Sequence, residues 1–257
     1  NNVTSGTLNS STITAVATGN LIVGGIIGNA VTVNDTDTII MDEVVNNSAI
    51  AATVTTGSGM VGGIIGRSDG YILSIENTKA LGNITQTTSN AAAKAYVGGI
   101  VGQVGNTKEA SLTSVEAGRF NLTTNKALTT MTVRGMGEML VGGIIGNAVD
   151  TYDTTDPSKL TVDRSNGNHN INVTNTNGKN VTGGLIGHSQ GYQLSVNKNN
   201  SLGSLQQTVT NNAAMTFVGG AIGQVENAPE IKITETVTGV FDEVNNTSKS
   251  TIKVTGN

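Results

Sequence analysis

Six times in 257 residues a glycine pair stands inside an apolar run, as in Leu21–Gly28 (LIVGGIIG) and Ala95–Gly102 (AYVGGIVG). Glycine weakens strands and helices alike, by about 0.5–1 kcal/mol relative to alanine, so six such pairs imply a close approach of backbone that a side chain would block. The pairs fall at 24/25, 62/63, 98/99, 142/143, 183/184 and 219/220, in steps of 38, 36, 44, 41 and 36 residues. A period of that size belongs to a solenoid, a propeller or an array. A longer period lies above it. The first three blocks match the last three at offsets of 118, 121 and 121, with IIGNAV at 26 and 144, and VGGIVGQV at 97 answering VGGAIGQV at 218. The chain reads as one continuous repeat domain over 1–257, duplicated as approximately 1–135 and 136–257. It closes in VTGN where ATGN precedes the first block, as expected of a piece of a longer array or of a protomer whose ends dock on one another.

Within each unit the apolar residues alternate with period two over short stretches, and nowhere do they hold a 3.6-residue period for a dozen residues. In the second unit Met60–Gly66, Tyr71–Ile75 and Ile84–Thr88 read as three strands, joined by turns at RSDG and NTKALGN. Three strands cannot bury an apolar face alone, but stacked coil on coil they can. The expected fold is a right-handed parallel β-helix, or β-solenoid, of about six coils of three strands, equivalent residues lying over one another at about 4.8 Å. A propeller is the rival for a period near 40 residues, but blades carry aromatic signatures, and here aromatics are 3% of the chain. Two residues before each pair stands a large apolar residue (Ile22, Met60, Tyr96, Leu140, Val181, Phe217), then a β-branched one. This predicts a strand buried on both faces, with the third glycine supplying a positive φ at a corner.

On Gly25-Ile26-Ile27-Gly28 and its five relatives the chain resembles the GLUG motif, named for Gly-Leu-aliphatic-Gly, of repeat regions in bacterial surface proteins, adhesins among them. Ala221 and Thr182 depart from the pattern, and the spacing is longer than the family's. The resemblance implies a secreted or surface-anchored repeat region without catalysis.

The residue inventory narrows the chemistry. There is no cysteine and only two histidines, His169 and His188, so neither a disulfide framework nor a thiolate metal site is expected. The net charge of −4 and the scattered Lys and Arg argue against nucleic acid or an anionic membrane as partner, and no apolar run approaches a membrane span. VGGIIG lacks the G-x-G-x-x-G order and the following helix of a dinucleotide-binding loop. Asp35 and Asp37, and Asp150, Asp153 and Asp156, gather in loops where oxygen ligands for a cation would lie, yet neither spacing matches a known calcium loop, so solvated loops are expected. Asp42-Glu43 and Asp242-Glu243, adjacent on strands, would face opposite ways and not form a glycosidase pair. His188-Ser189 lacks a third partner and reads as a polar turn. Threonine-rich stretches (TVTTG, TMTV, NVTNT) suggest hydroxyl ranks of the kind that bind ice, but the unequal steps predict loops that would break them. Asn2-Val3-Thr4, Asn83-Ile84-Thr85, Asn121-Leu122-Thr123 and Asn172-Val173-Thr174 are glycan acceptors if the chain passes a eukaryotic secretory pathway.

The expectation is a non-catalytic extracellular rod with no cofactor, a stalk, fibre or surface-assembly subunit whose loops contact a host protein or glycan, and whose end coils stack on other copies. A carbohydrate-active or carbohydrate-binding β-helix is the alternative.

Overall fold

A computed structural model describes residues 2–7, 11–34, 36–121, 123–124, 126–150, 156–210, 215–238, 241–242, 247–248 and 252–255. These residues form parallel strands stacked into a solenoid of six coils, with two small antiparallel hairpins and no helix. Coil 2 shows the plan: Ala49–Val54 in ladder I, Gly59–Gly62 in ladder II, Ile65–Asp69 in ladder III, and Ile72–Glu76 with the short Lys79–Ala80 in ladder IV. Each strand pairs in parallel with its equivalents in the coils before and after, so Val61 lies between Val23 and Val97, and Ile65 between Ile27 and Val101. Ladder I runs from Thr12–Ala17 in coil 1 through Leu205–Val209 in coil 6 to Ile252–Thr255. Stacking of like residues is therefore as expected, but a coil has four strands and a short fifth instead of three.

The extra strand comes from the glycine block, which is not one strand but two. At Gly62 a β-carbon would lie 1.8 Å from the carbonyl oxygen of Ile65, so the chain reverses within four residues, and only glycine fits the inside of that turn. Ladders II and III consequently run back to back. The third glycine does not take a positive φ. A β-carbon on Gly102 would sit 2.5 Å from the carbonyl oxygen of Gly66 and 2.8 Å from backbone atoms of Val61, so this glycine lets ladder III of one coil press on ladder II of the coil before it. The second glycine of the pair meets small residues of ladder IV: Gly63 lies against Ala80, Gly99 against Ala117 and Gly184 against Ser201.

The glycine hairpin divides the interior in two. One core lies between ladders I and II, with Ile50, Ile84, Met131 and Ile171 facing Val61, Val97 and Val141. The other lies between ladders III and IV, with Ile65, Val101 and Ile145 facing Leu73, Leu112 and Leu160. A third column, Met60, Tyr96, Leu140, Val181 and Phe217, sits apart from both, toward the mouth of the hairpin. The double-sided burial read from the sequence thus has a different cause from the one expected: one face of each glycine strand meets a core, and the other meets its own hairpin partner.

Corners in ladder IV are made without glycine. Glu43, Asn77, Ser114, Arg164, Lys198 and Glu235, one per coil, have φ between 46° and 54°. That conformation costs a residue with a side chain roughly 1–2 kcal/mol. The next residue points inward, and in the second half of the chain its side chain binds backbone groups that the corner frees. Ser165 Oγ accepts the Val115 N–H at 3.1 Å, Asn199 Oδ1 accepts the Ser165 N–H at 2.8 Å, and Asn199 Nδ2 donates to the Val162 carbonyl at 2.8 Å. These bonds join successive coils.

The packing role of the third glycine is open to test. Gly102→Ala should lower the unfolding free energy by about 2–3 kcal/mol through overpacking against backbone that cannot move. Gly19→Ala, at a position with nothing within 4 Å of the added carbon, should change it by less than about 0.5 kcal/mol. Urea denaturation of the two variants makes the comparison.

Candidate functional site

Among the described residues, the acids singled out by sequence do not converge. Asp37 closes its own turn, accepting from Thr32 Oγ1 at 2.6 Å and from Asn34 Nδ2 at 3.0 Å; Asp35 lies outside the described residues. Asp156 accepts from Lys108 Nζ at 2.8 Å, Asp150 is buried, and Asp153 lies outside the described residues. Asp42 accepts from Asn77 Nδ2 at 3.0 Å, while Glu43 holds a left-handed corner; Glu243 lies outside the described residues. Among the described residues no group of three His, Asp or Glu is placed to share a metal ion.

His188 and Ser189 are not in a turn. They sit within the ladder III strand Ile186–Gln190, and the strand sends them to opposite faces. Ser189 takes the core position of Ala148 and Val225, while His188 points into the glycine hairpin, so the two cannot act as nucleophile and base.

His188 belongs instead to a polar column formed by register alone: Asn29, Arg67, Gln103, Asn147, His188 and Gln224 follow one another in ladder III from coil 1 to coil 6. Near the tip of the hairpin glycines leave no room between the layers; toward its mouth this column meets charged rims. His188 Nδ1 lies 2.8 Å from Asn147 Oδ1, and its Nε2 is 3.6 Å from Glu226 Oε2. Lys179 Nζ donates to Glu226 Oε1 at 3.3 Å and stands 5.9 Å from the centre of the Phe217 ring. Arg67 pairs with Asp69. Burial and then the Lys179 charge hold His188 below the ordinary histidine pKa, against the pull of Glu226. Burial pushes the Glu226 carboxyl up, but Lys179 and His188 outweigh it and leave the group below its usual value. Burial, then the charge of Glu138, raises the Tyr96 phenol. This titratable cluster spans four coils and was hidden in the sequence, where its members stand about forty residues apart.

A second surface is the outer face of ladder I. Thr14, Ala51, Thr85, Thr132, Asn172 and Gln206 form one rank, and Val16, Thr53, Thr87, Arg134, Thr174 and Thr208 the next. Arg134 is the one charge among these twelve residues, and the first rank continues from Gln206 to Lys253. The unequal repeat lengths do not interrupt the face, contrary to expectation, because the extra residues enter at other corners: between Val149 and Lys159 after ladder III, and at the hairpin of Phe120–Asn121 with Lys126–Ala127 before ladder I. The acceptor asparagine of the Asn172-Val173-Thr174 sequon lies on this face.

His169 is the other histidine, and it is buried. It opens the ladder I strand of coil 5, and its Nε2 reaches past coil 4 to the Gly82 carbonyl oxygen at 3.1 Å. Burial lowers its pKa from 6.5 to about 4.

Comparison with family models, with curated proteins and with solved structures gives no match for this chain.

Because His169 binds its proton more weakly folded than unfolded, its effect on stability is nil above about pH 6.5, grows as pH falls through the window from 6.5 to about 4, and is constant below. The unfolding free energy should therefore fall by about 1.4 kcal/mol per pH unit within that window on this account. His169→Gln, which keeps a donor toward Gly82, should flatten the profile by that amount, measured by denaturation at pH 7, 5.5 and 4.

Proposed function

We propose that this chain is a non-catalytic structural and adhesive repeat segment acting outside the cell, a stiff stalk or surface-assembly element that offers a neutral, ordered contact face to a host protein or glycan. The observation that carries the reading is the unbroken register of ladders I to IV through six coils, which makes a rod whose outer residues repeat at about 4.8 Å. A ligand with its own repeat can then be met several times over by weak contacts. The threonine ranks of ladder I supply such contacts. Their β-branched side chains have few rotamers to lose, so little entropy opposes ordering them against a partner. The resemblance to GLUG repeats of bacterial surface proteins points the same way.

A second reading, a carbohydrate-active β-helix, draws on the cluster of Tyr96, Glu138, His188 and Glu226. Against it, Lys179 and His188 already engage the Glu226 carboxylate, which a general acid would need to keep protonated.

Screening the chain on glycan and matrix-protein arrays tests the first reading. Binding should appear and should fall at least about tenfold in Thr85→Ala/Thr132→Ala, a loss of about 1.4 kcal/mol, with stability unchanged within about 0.5 kcal/mol. Release of reducing sugar from a polysaccharide, abolished by Glu226→Gln, would replace it with the second.

A further inference from the structure

Charge is spread unevenly over the outside of the solenoid. Outward positions of ladder IV carry Asp42, Glu76, Glu109, Lys159, Asp163 and Lys232. The twelve residues of the two ladder I ranks hold no acid and one base, in a chain with 14 Lys and Arg and 18 Asp and Glu. Most of the twelve are threonine, asparagine or glutamine, and none is aromatic. All are exposed or half-buried, while Ile50, Ile84, Met131 and Ile171 beside them turn into the core. A partner on this face meets hydroxyl, methyl and amide groups, so an uncharged one strands the fewest buried charges. Arg134 is exposed, and its long stem lets the guanidinium stay in water at the rim of such a contact.

The second constraint is geometric. The ranks form a lattice, stepping about 4.8 Å from coil to coil and about 6.6 Å from one rank to the next along a strand. A flexible chain would give up its own freedom to follow that lattice, whereas a ligand already ordered on the same step meets every coil without that cost. The step between coils is set by amide hydrogen bonding, one N–H···O bond plus the width of one amide, and amides stacked in this way share it whatever molecule carries them. In crystalline polymers of β-linked N-acetylated sugars, neighbouring chains join acetamide on acetamide through the same bond and therefore on the same step. Polysaccharides without an acetamide pack through hydroxyl contacts and have no reason to share it.

We infer that the outer face of ladder I binds the ordered surface of an insoluble N-acetylated polysaccharide of the chitin type, one sugar chain lying along the strand of each coil and successive chains following successive coils. The inference names the glycan within the adhesive reading above and rests on that reading. Thr85, Thr87, Thr132 and Thr174 offer hydroxyls to the sugar hydroxyls and methyl groups to the acetyl methyls, and Asn172 and Gln206 offer amides of the same kind as the acetamide. With no aromatic residue in the two ranks to stack a single ring, affinity comes from the number of coils engaged and not from any one sugar.

Cosedimentation with crystalline chitin is the test. The chain should be retained at least about tenfold more strongly on chitin than on microcrystalline cellulose, which lacks the acetamide, and soluble chitin oligosaccharides should compete poorly. Thr85→Lys/Thr174→Lys, which sets charge on two exposed positions of the ranks, should weaken retention at least about tenfold. Ser74→Lys/Ser111→Lys, the same charge on the outer face of ladder IV, should leave retention unchanged. Both variants should melt within a few degrees of the parent, and Thr85→Ser/Thr174→Ser, which keeps the hydroxyls, should bind close to the parent. Equal retention on cellulose, tight binding of a soluble oligosaccharide, indifference to the ladder I lysines, or recovery of the chain in growing ice with none on chitin overturns the inference. If another glycan or a matrix protein is still bound in such a case, the adhesive reading stands; if nothing on the arrays is bound either, both fall.

Discussion

Direct contact of backbone with backbone at the glycine hairpin is the constraint on which the rest depends. Gly62 permits the reversal, Gly63 admits the small residues of ladder IV, and Gly102 lets one coil sit on the coil before it. Because three separate neighbours crowd three separate glycines, the block has to recur whole in every coil, and it does. A single added methyl group is felt by main-chain atoms, which cannot change rotamer to avoid it.

That hairpin also explains why a chain so poor in aromatic residues has a core. The interior is split into two narrow spaces, each filled by one layer of aliphatic side chains from two facing ladders. Medium aliphatic residues fill most of these gaps. Tyr192 is the largest side chain wholly buried there, beside Asp150, whose charge adds to burial in raising the phenol pKa. Polar residues inside the corners, Ser165 and Asn199 above all, then hold one coil to the next where no apolar residue could satisfy the turning backbone.

The proposed function draws on the outward faces of this scaffold. A regular sheet that exposes threonine and asparagine in register is, on the reading proposed above, a surface for partners with repeating structure. The mouth of the glycine hairpin is different in kind. Its Lys179 donates to Glu226 from one coil to the next at 3.3 Å, and the buried Nε2 of His188 stands 3.6 Å from the same carboxylate.

Much of this was written in the chain. Six glycine blocks, the alternation of apolar residues and the duplication of a three-block unit dictate parallel stacking in register, because like residues at a fixed step can only bury their apolar side by lying over one another. The path within a coil was not readable, since a glycine pair in an apolar run is compatible with a continuous strand until backbone clashes are measured in three dimensions. Left-handed corners at Glu43, Arg164 or Lys198 carry no local signal, being tolerated only where the coil above and the inward side chain hold them. The polar column through His188 and the threonine ranks of ladder I exist only through register, which brings residues about forty positions apart into contact. The sequence by itself determined what stacks on what; tertiary structure decided where the chain turns and which side chains meet, because turning is governed by contacts between coils and not by neighbours along the chain.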